Sequence, residues 1–178
     1  MNITLDGFCD HTAMDVDDEI HEHYNELLRT GDMLIYGRTT YQLMESYWPT
    51  VVETPTGNKS MDGFAVLIDD LTKIVYSRTL QEVHWKNSIL KKEINKEEIL
   101  VLKQEAGKDM LVGSPGLIIA FLNLHLIDEL QINANPVIVG KGLPLFKNID
   151  ERIRLNLIKT KTFACGAVLI YYKPEYDQ

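Results

Sequence analysis

Three short stretches of this chain join an apolar run to residue types that bind phosphate. "LIYGRTTYQLM", Leu34 to Met44, runs into Gly37, then Arg38, Thr39 and Thr40, and continues with helical spacing. "KIVYSRT" ends its apolar run on Ser77 and Arg78. "DMLVGSPGLI" ends on Gly113, Ser114, Pro115, Gly116 and Leu117. A helix start offers unpaired backbone N–H groups and the positive end of its dipole to an anion. An arginine adds a charged fork, and a glycine lets the backbone approach a ligand closely. Thr39 and Gln42 have capping-box spacing, and Ser114-Pro115 suits an N-cap followed by a first helical residue. Ser77 and Arg78 suit a terminal phosphate such as an adenosine 2′-phosphate. Taken singly, each stretch reads more simply as a capped helix or a polar turn. Together, two helix starts and two arginines at strand ends fit a dinucleotide phosphate, and two separate arginines favour its 2′-phosphorylated form.

The elements that must carry these residues follow from periodicity. Asn2 to Leu5 reads as a first strand cut off by Asp6-Gly7. A helix is expected after Asp15, capped by that residue, with Ile20, Tyr24, Leu27 and Leu28 on one face and Gly31 ending it. Met33–Tyr36 reads as a strand, Thr39 onward as a helix, and Tyr47–Met61, with Pro49, Pro55 and Gly57, as a loop. A helix near Phe64–Leu71 and a strand at Lys73–Ser77 follow. "NKEEILVLKQEAGK" is expected to be helical up to Gly107, Asp109–Val112 a strand, and Pro115–Leu124 a helix. In "DELQINANPVIV", Leu130, Ile132 and Ala134 alternate onto one face. Ile153–Phe163 and Ala167–Lys173, joined tightly at Gly166, read as an antiparallel hairpin. Alternating strands and helices closed by a hairpin give an α/β sandwich, mostly parallel with an antiparallel edge. Ligands in such sheets sit outside the carboxyl ends of the parallel strands, where all three stretches fall.

At 178 residues the chain is expected to be a single domain, residues 1–178, with an ordinary apolar fraction of 45%. A formal charge of −8 argues against nucleic acid and against an anionic membrane surface, yet leaves room for a local basic pocket. Cys9 and Cys165 read as free thiols of a reducing cytoplasm. No signal peptide is apparent, and the longest apolar stretch, "LIIAFLNLHLI", is too short to span a bilayer. No metal site is expected. His21 and His23 do not share a helix face, and with His11 and the run Asp15–Glu19 they read as part of a solvated acidic helix start. G-x-G-x-x-G, Walker A and G-x-S-x-G patterns are all missing. Trp48 in "SYWPT" is either core or a pocket wall.

The segments "TLDGF", "LIYGRTTYQLMESYWP", "DMLVGSPGLI" and "LIDELQINANPVIVGKGLPLF" together resemble the dihydrofolate reductase-like family. The closer likeness is to the C-terminal reductase domain of the riboflavin-pathway deaminase–reductase. The resemblance covers nearly the whole chain and keeps the motif order. It implies a three-layer α/β/α fold with a mostly parallel central sheet, NADPH as hydride donor, and a homodimer formed through edge strands. It implies a pterin-like or pyrimidine-like small-molecule substrate. On that resemblance Gly37, Arg38, Thr39 and Thr40 meet the cofactor phosphates, Ser77 and Arg78 lie near the adenosine phosphate, and Gly113–Leu117 cradle the pyrophosphate. Leu5, Asp6 and Gly7 border the nicotinamide and substrate, with Asp6 the candidate for orienting the substrate or relaying a proton and Trp48 a candidate substrate contact. The riboflavin reductases carry an acidic residue before the glycine pair. Here Val112 stands there, and Ser114-Pro115 replaces the second glycine. These differences keep open a second reading, a non-catalytic nucleotide- or metabolite-binding module on the same fold.

Overall fold

The apolar runs become strands and the amphipathic stretches helices in the order the periodicity indicates. The computed structural model describes residues 1–10, 12 and 17–176. Its elements begin with β1 (Asn2–Thr4), α1 (Asp18–Thr30), β2 (Gly31–Gly37), α2 (Arg38–Glu45) and α3 (Trp48–Glu53). They continue with α4 (Lys59–Asp70), β3 (Thr72–Tyr76), β4 (Ser88–Lys91), α5 (Lys96–Leu102) and β5 (Asp109–Val112). The last are α6 (Pro115–Asn123), β6 (Leu130–Asn135), β7 (Arg154–Thr162) and β8 (Val168–Glu175). The chain divides into two compact units, Asp18–Leu117 and the combination of Met1–Asp17 with Ile118–Gln178.

The Asp18–Leu117 unit holds a four-stranded sheet in the order β4-β3-β2-β5, parallel throughout. Its core gathers Leu28, Leu34, Tyr36, Tyr41, Ile68, Val75 and Trp85. Two polar anchors fix the elements that lead to the site. Lys73 on β3 is fully buried. Its ammonium donates to the carbonyls of Ile68, Asp69 and Leu71 at 2.7, 3.0 and 2.7 Å and lies 4.5 Å above the Trp85 ring. It thereby satisfies the free carbonyls at the end of α4, where a cation also suits the dipole. The second anchor is Tyr41. Its hydroxyl donates to Glu45 at 2.6 Å and accepts from the Trp85 backbone N–H at 3.0 Å, which ties α2 to the segment before β4.

The other unit holds a four-stranded sheet in the order β1-β6-β8-β7. β1 and β6 are parallel, and the hairpin β7–β8 is antiparallel and pairs through β8 with β6. Gly166 turns the hairpin with φ 89°, a left-handed conformation that glycine adopts without a Cβ penalty. The α/β class, the mainly parallel pairing and the closing hairpin agree with the periodicity.

Several local expectations are corrected. α2 begins at Arg38, so Thr39 lies inside it, its N-cap is Gly37, and no side chain caps it. Tyr47–Met61 is not all loop, because Pro49 sits in the first turn of α3, where its missing N–H costs nothing, and α4 starts at Lys59 under an Asn58 cap. β4 was not anticipated: "SILK" is too short and too polar to stand out. The buried face of α1 carries Ile20, His23, Asn25 and Leu28, with Asn25 bound to the Ser60 carbonyl. On β6 both faces are covered: Asn133 and Asn135 are buried while Ala134 is only half-buried. The expected Asp15 cap and His11 lie outside the described residues.

Candidate active site

The strand order decides which of the candidate residues meet. Because β4, β3, β2 and β5 are parallel neighbours in that order, their carboxyl ends form one edge. Along it stand Lys92 after β4, Ser77 and Arg78 after β3, Gly37 and Arg38 at the end of β2, and Gly113 and Ser114 after β5. With strands about 4.8 Å apart, the four ends span roughly 14 Å, close to the reach of an adenosine with its phosphates.

The two helix starts are tied to each other. The buried Ser114 hydroxyl accepts the Gly37 N–H at 2.8 Å, and the Gly113 N–H donates to the Ile35 carbonyl at 3.1 Å. Neither α2 nor α6 has an acidic residue in its first turn. By contrast α1, α4 and α5 carry Asp or Glu within their first turns. No side chain caps α2, and Arg38 beside its first-turn N–H groups is exposed. The glycines differ in purpose. A Cβ on Gly113 would stand 2.8 Å from the Tyr36 ring, so this position is glycine to seat that ring and not only to admit a ligand. A Cβ on Gly116 would meet nothing within 4 Å, which leaves the start of α6 open.

A cleft of about 370 Å³ lies at the β3–β4 end of the edge, lined by Tyr76, Ser77, Arg78, Lys92, Glu93, Ile94 and Leu117. Ser77 accepts the Thr79 and Leu80 N–H groups at 3.2 and 3.0 Å, which shapes the turn that presents Arg78. Burial pushes the Tyr76 hydroxyl up to about 12, so it stays neutral and adds no charge against an anion. Arg78 and Lys92 are both exposed. Among the described residues neither forms an ion pair with a carboxylate, and Lys92 donates to the Leu80 carbonyl. Lys92 and Glu93 escaped the sequence reading because β4 itself did. The parallel register Tyr76↔Lys91 is what brings them beside Ser77.

The turn at Leu5–Gly7 belongs to the other unit. Asp6 accepts from the Thr4 hydroxyl at 2.6 Å and from the Gly140 and Val139 N–H groups at 2.7 and 3.4 Å. The Thr4 hydroxyl, followed by the two backbone donors, holds its carboxyl below the ordinary aspartate range. Asp6 is therefore an ionised acceptor that closes its own turn onto the loop after β6. Gly7 has φ 86°, as the turn requires, and Leu5 is 65% exposed. Trp48 packs on Phe64 and Tyr47, with ring centroids 4.6 and 5.0 Å apart, at the margin of the core; it does not line the cleft. Among the described residues no three His, Cys, Asp or Glu side chains gather as metal ligands, and no helix is long and apolar enough to cross a membrane.

Comparison with known proteins identifies the lineage. The model of the RibD C-terminal domain matches residues 1–169. The chain belongs to the RibD C-terminal domain family. It is 35% identical over 174 residues to the uncharacterized protein YyaP of Bacillus subtilis, covering 96% of this chain and 90% of that one. Among solved structures it resembles a "Putative riboflavin biosynthesis protein" from Shewanella sp. PV-4, with a TM-score of 0.74 at 21% identity over 99% of this chain and 97% of that one. It also resembles a diaminohydroxyphosphoribosylaminopyrimidine deaminase/5-amino-6-(5-phosphoribosylamino)uracil reductase from Thermotoga maritima. There the TM-score is 0.63 at 17% identity, over 97% of this chain and 54% of the other. Members of the RibD reductase-domain family are oxidoreductases, and the family generally uses NADPH.

Proposed function

We propose that this protein is an NADPH-dependent reductase of a small pyrimidine-like molecule. The observation that carries the reading is the alignment of three phosphate-suited strand ends on one parallel edge, with two cations in the adjoining cleft that have no carboxylate partner among the described residues. The donor set fits a 2′-phosphorylated dinucleotide. The first turns of α2 and α6 suit its pyrophosphate, the open flank at Gly116 leaves room for it, and Arg78 suits the terminal phosphate. When bound, NADPH supplies a hydride. The chain's own contribution is position and electrostatics: Arg38 and the α2 start neutralise phosphate charge, and the Tyr41–Glu45–Trp85 bonds keep α2 in place. Asp6, as an ionised acceptor, positions the Leu5–Gly7 turn. Proton supply to the substrate falls to another donor, because a carboxylate with a lowered pKa holds no proton near neutrality.

The reading is tested by mixing purified protein with NADPH and 5-amino-6-ribosylaminouracil compounds, with and without the 5′-phosphate, and following 340 nm absorbance. Oxidation that depends on the pyrimidine supports it. NADPH binding without oxidation across pyrimidines and pterins supports instead the non-catalytic module, the reading favoured by Val112 standing where the riboflavin reductases carry an acid. Absence of dinucleotide binding removes both.

A second copy of the chain is the proposed partner. β7 is an edge strand exposed along nearly its whole length, with Leu157 60% and Ile158 50% exposed. An exposed edge strand that carries apolar side chains among its charged ones offers a surface on which a second copy can pair. Light scattering at micromolar concentration reads the dimer mass if β7 is the interface, and Leu157→Lys lowers it to that of the monomer. The cytoplasm, where NADPH and reduced thiols are available, is the proposed compartment.

A further inference from the structure

We infer that Lys92 and Glu93, the two residues that follow β4, set the preference between phosphorylated and unphosphorylated adenosine ribose. This rests on the dinucleotide reading and goes beyond it by naming residues that no phosphate-suited sequence pattern contains. Three observations lead there. The Ser77 N–H donates to the Lys91 carbonyl at 2.9 Å, extending the β3–β4 ladder by one bond and fixing Lys92 beside Ser77 and Arg78. The cations of the pair Lys91-Lys92 are then used differently: Lys91 pairs with Glu98 on α5, whereas Lys92 lines the cleft and, among the described residues, donates to the neutral Leu80 carbonyl without a carboxylate partner. Finally, Glu93 lines the same cleft, and among the described residues no cation is bonded to it.

The cleft thus carries Arg78 and Lys92 against Glu93, one positive charge in sum. A 2′-phosphate brings about −1.5 to −2 charges near pH 7 and draws both cations. An unphosphorylated ribose offers hydroxyl donors, for which a carboxylate is the natural acceptor. Lys92 favours the phosphate and Glu93 opposes it. Of the two, Lys92 can also leave a weak neutral acceptor for a charged one, and hydrogen bonds between charged partners are about twice as strong as neutral ones.

The test is calorimetric titration of the full chain with adenosine 2′,5′-bisphosphate, AMP, NADPH and NADH. Lys92→Met should weaken the bisphosphate and NADPH by about tenfold while leaving AMP and NADH within about twofold. Glu93→Gln should tighten the phosphorylated pair several-fold. The Lys92 effect should shrink as salt rises, since an exposed contact is screened. Unchanged or equal changes for phosphorylated and unphosphorylated ligands in both variants overturn this inference while leaving the dinucleotide reading intact, provided wild-type protein binds NADPH. If wild-type protein binds none of the four ligands, both fall. Lys92→Arg should retain the preference, and circular dichroism melts of each variant separate lost binding from lost folding.

Discussion

Gly116→Ala separates a ligand cradle from an ordinary helix start, because the two demand opposite signs. Gly116 is the second residue of α6, its φ lies outside the left-handed region, and an added Cβ meets nothing within 4 Å. The substitution creates no clash and no strain. It removes backbone freedom from the unfolded chain and improves helix propensity, worth about 0.5–1 kcal/mol in a helix interior and less in a first turn. For a chain of this size that is a rise of roughly 1–4 °C in melting temperature. If a pyrophosphate lies against the open flank of α6, the same methyl intrudes on it, and NADPH and NADH should both weaken by about tenfold or more. Differential scanning calorimetry gives the first quantity and titration calorimetry the second. A variant that melts higher and binds either dinucleotide as tightly as wild type refutes the cradle at α6. A variant that melts lower refutes the description of the Gly116 flank as open.

Further outcomes follow from other residues. Ser114→Ala leaves the half-buried Gly37 N–H without its acceptor, so stability should fall by about 1 kcal/mol in urea denaturation and affinity for both dinucleotides should fall with it. Arg78→Ala should weaken NADPH roughly ten- to a hundredfold and leave NADH nearly unchanged, whereas Arg38→Ala should weaken both, as read by dissociation constants. Lys73, lowered by burial to about 8 from 10.5, binds fewer protons folded than unfolded between those values. Wild-type stability should therefore rise with pH across that window relative to Lys73→Met, which should itself cost about 2–4 kcal/mol at pH 7 by leaving the α4 carbonyls unanswered. Asp6 has the opposite sign: its folded pKa is depressed, so its contribution is present above about 3.8 and lost as pH falls through the folded value. Acid denaturation of Asp6→Asn should lack that component.

The fold class was legible because strand and helix periods alternate cleanly from β2 to α6, and because Gly166 sits between two β-rich runs. The three phosphate-suited turns were legible for a chemical reason, since Gly-Arg-Thr, Ser-Arg and Gly-Ser-Pro each follow an apolar run. Their adjacency was not, because it depends on the non-sequential order β3-β2-β5. Thr39–Gln42 matched a capping box by spacing, yet β2 extends to Gly37 and the helix begins one residue earlier, so the cap position falls on a residue without a side chain. Trp48 carried no signal of its own surroundings; its packing on Phe64 depends on α3 and α4 folding as helices where prolines suggested a loop. Lys73 was equally hidden. A lysine in a strand reads as solvated unless the carbonyl-rich end of a helix is known to lie beneath it.

The most direct test of the account is a crystal structure with NADPH bound. The account predicts the pyrophosphate against the first turns of α2 and α6, near Arg38 and Gly116, and the adenosine 2′-phosphate in the cleft between Arg78 and Lys92. A dinucleotide bound away from the β4-β3-β2-β5 edge, or bound there with its 2′-phosphate turned out of that cleft, would contradict it.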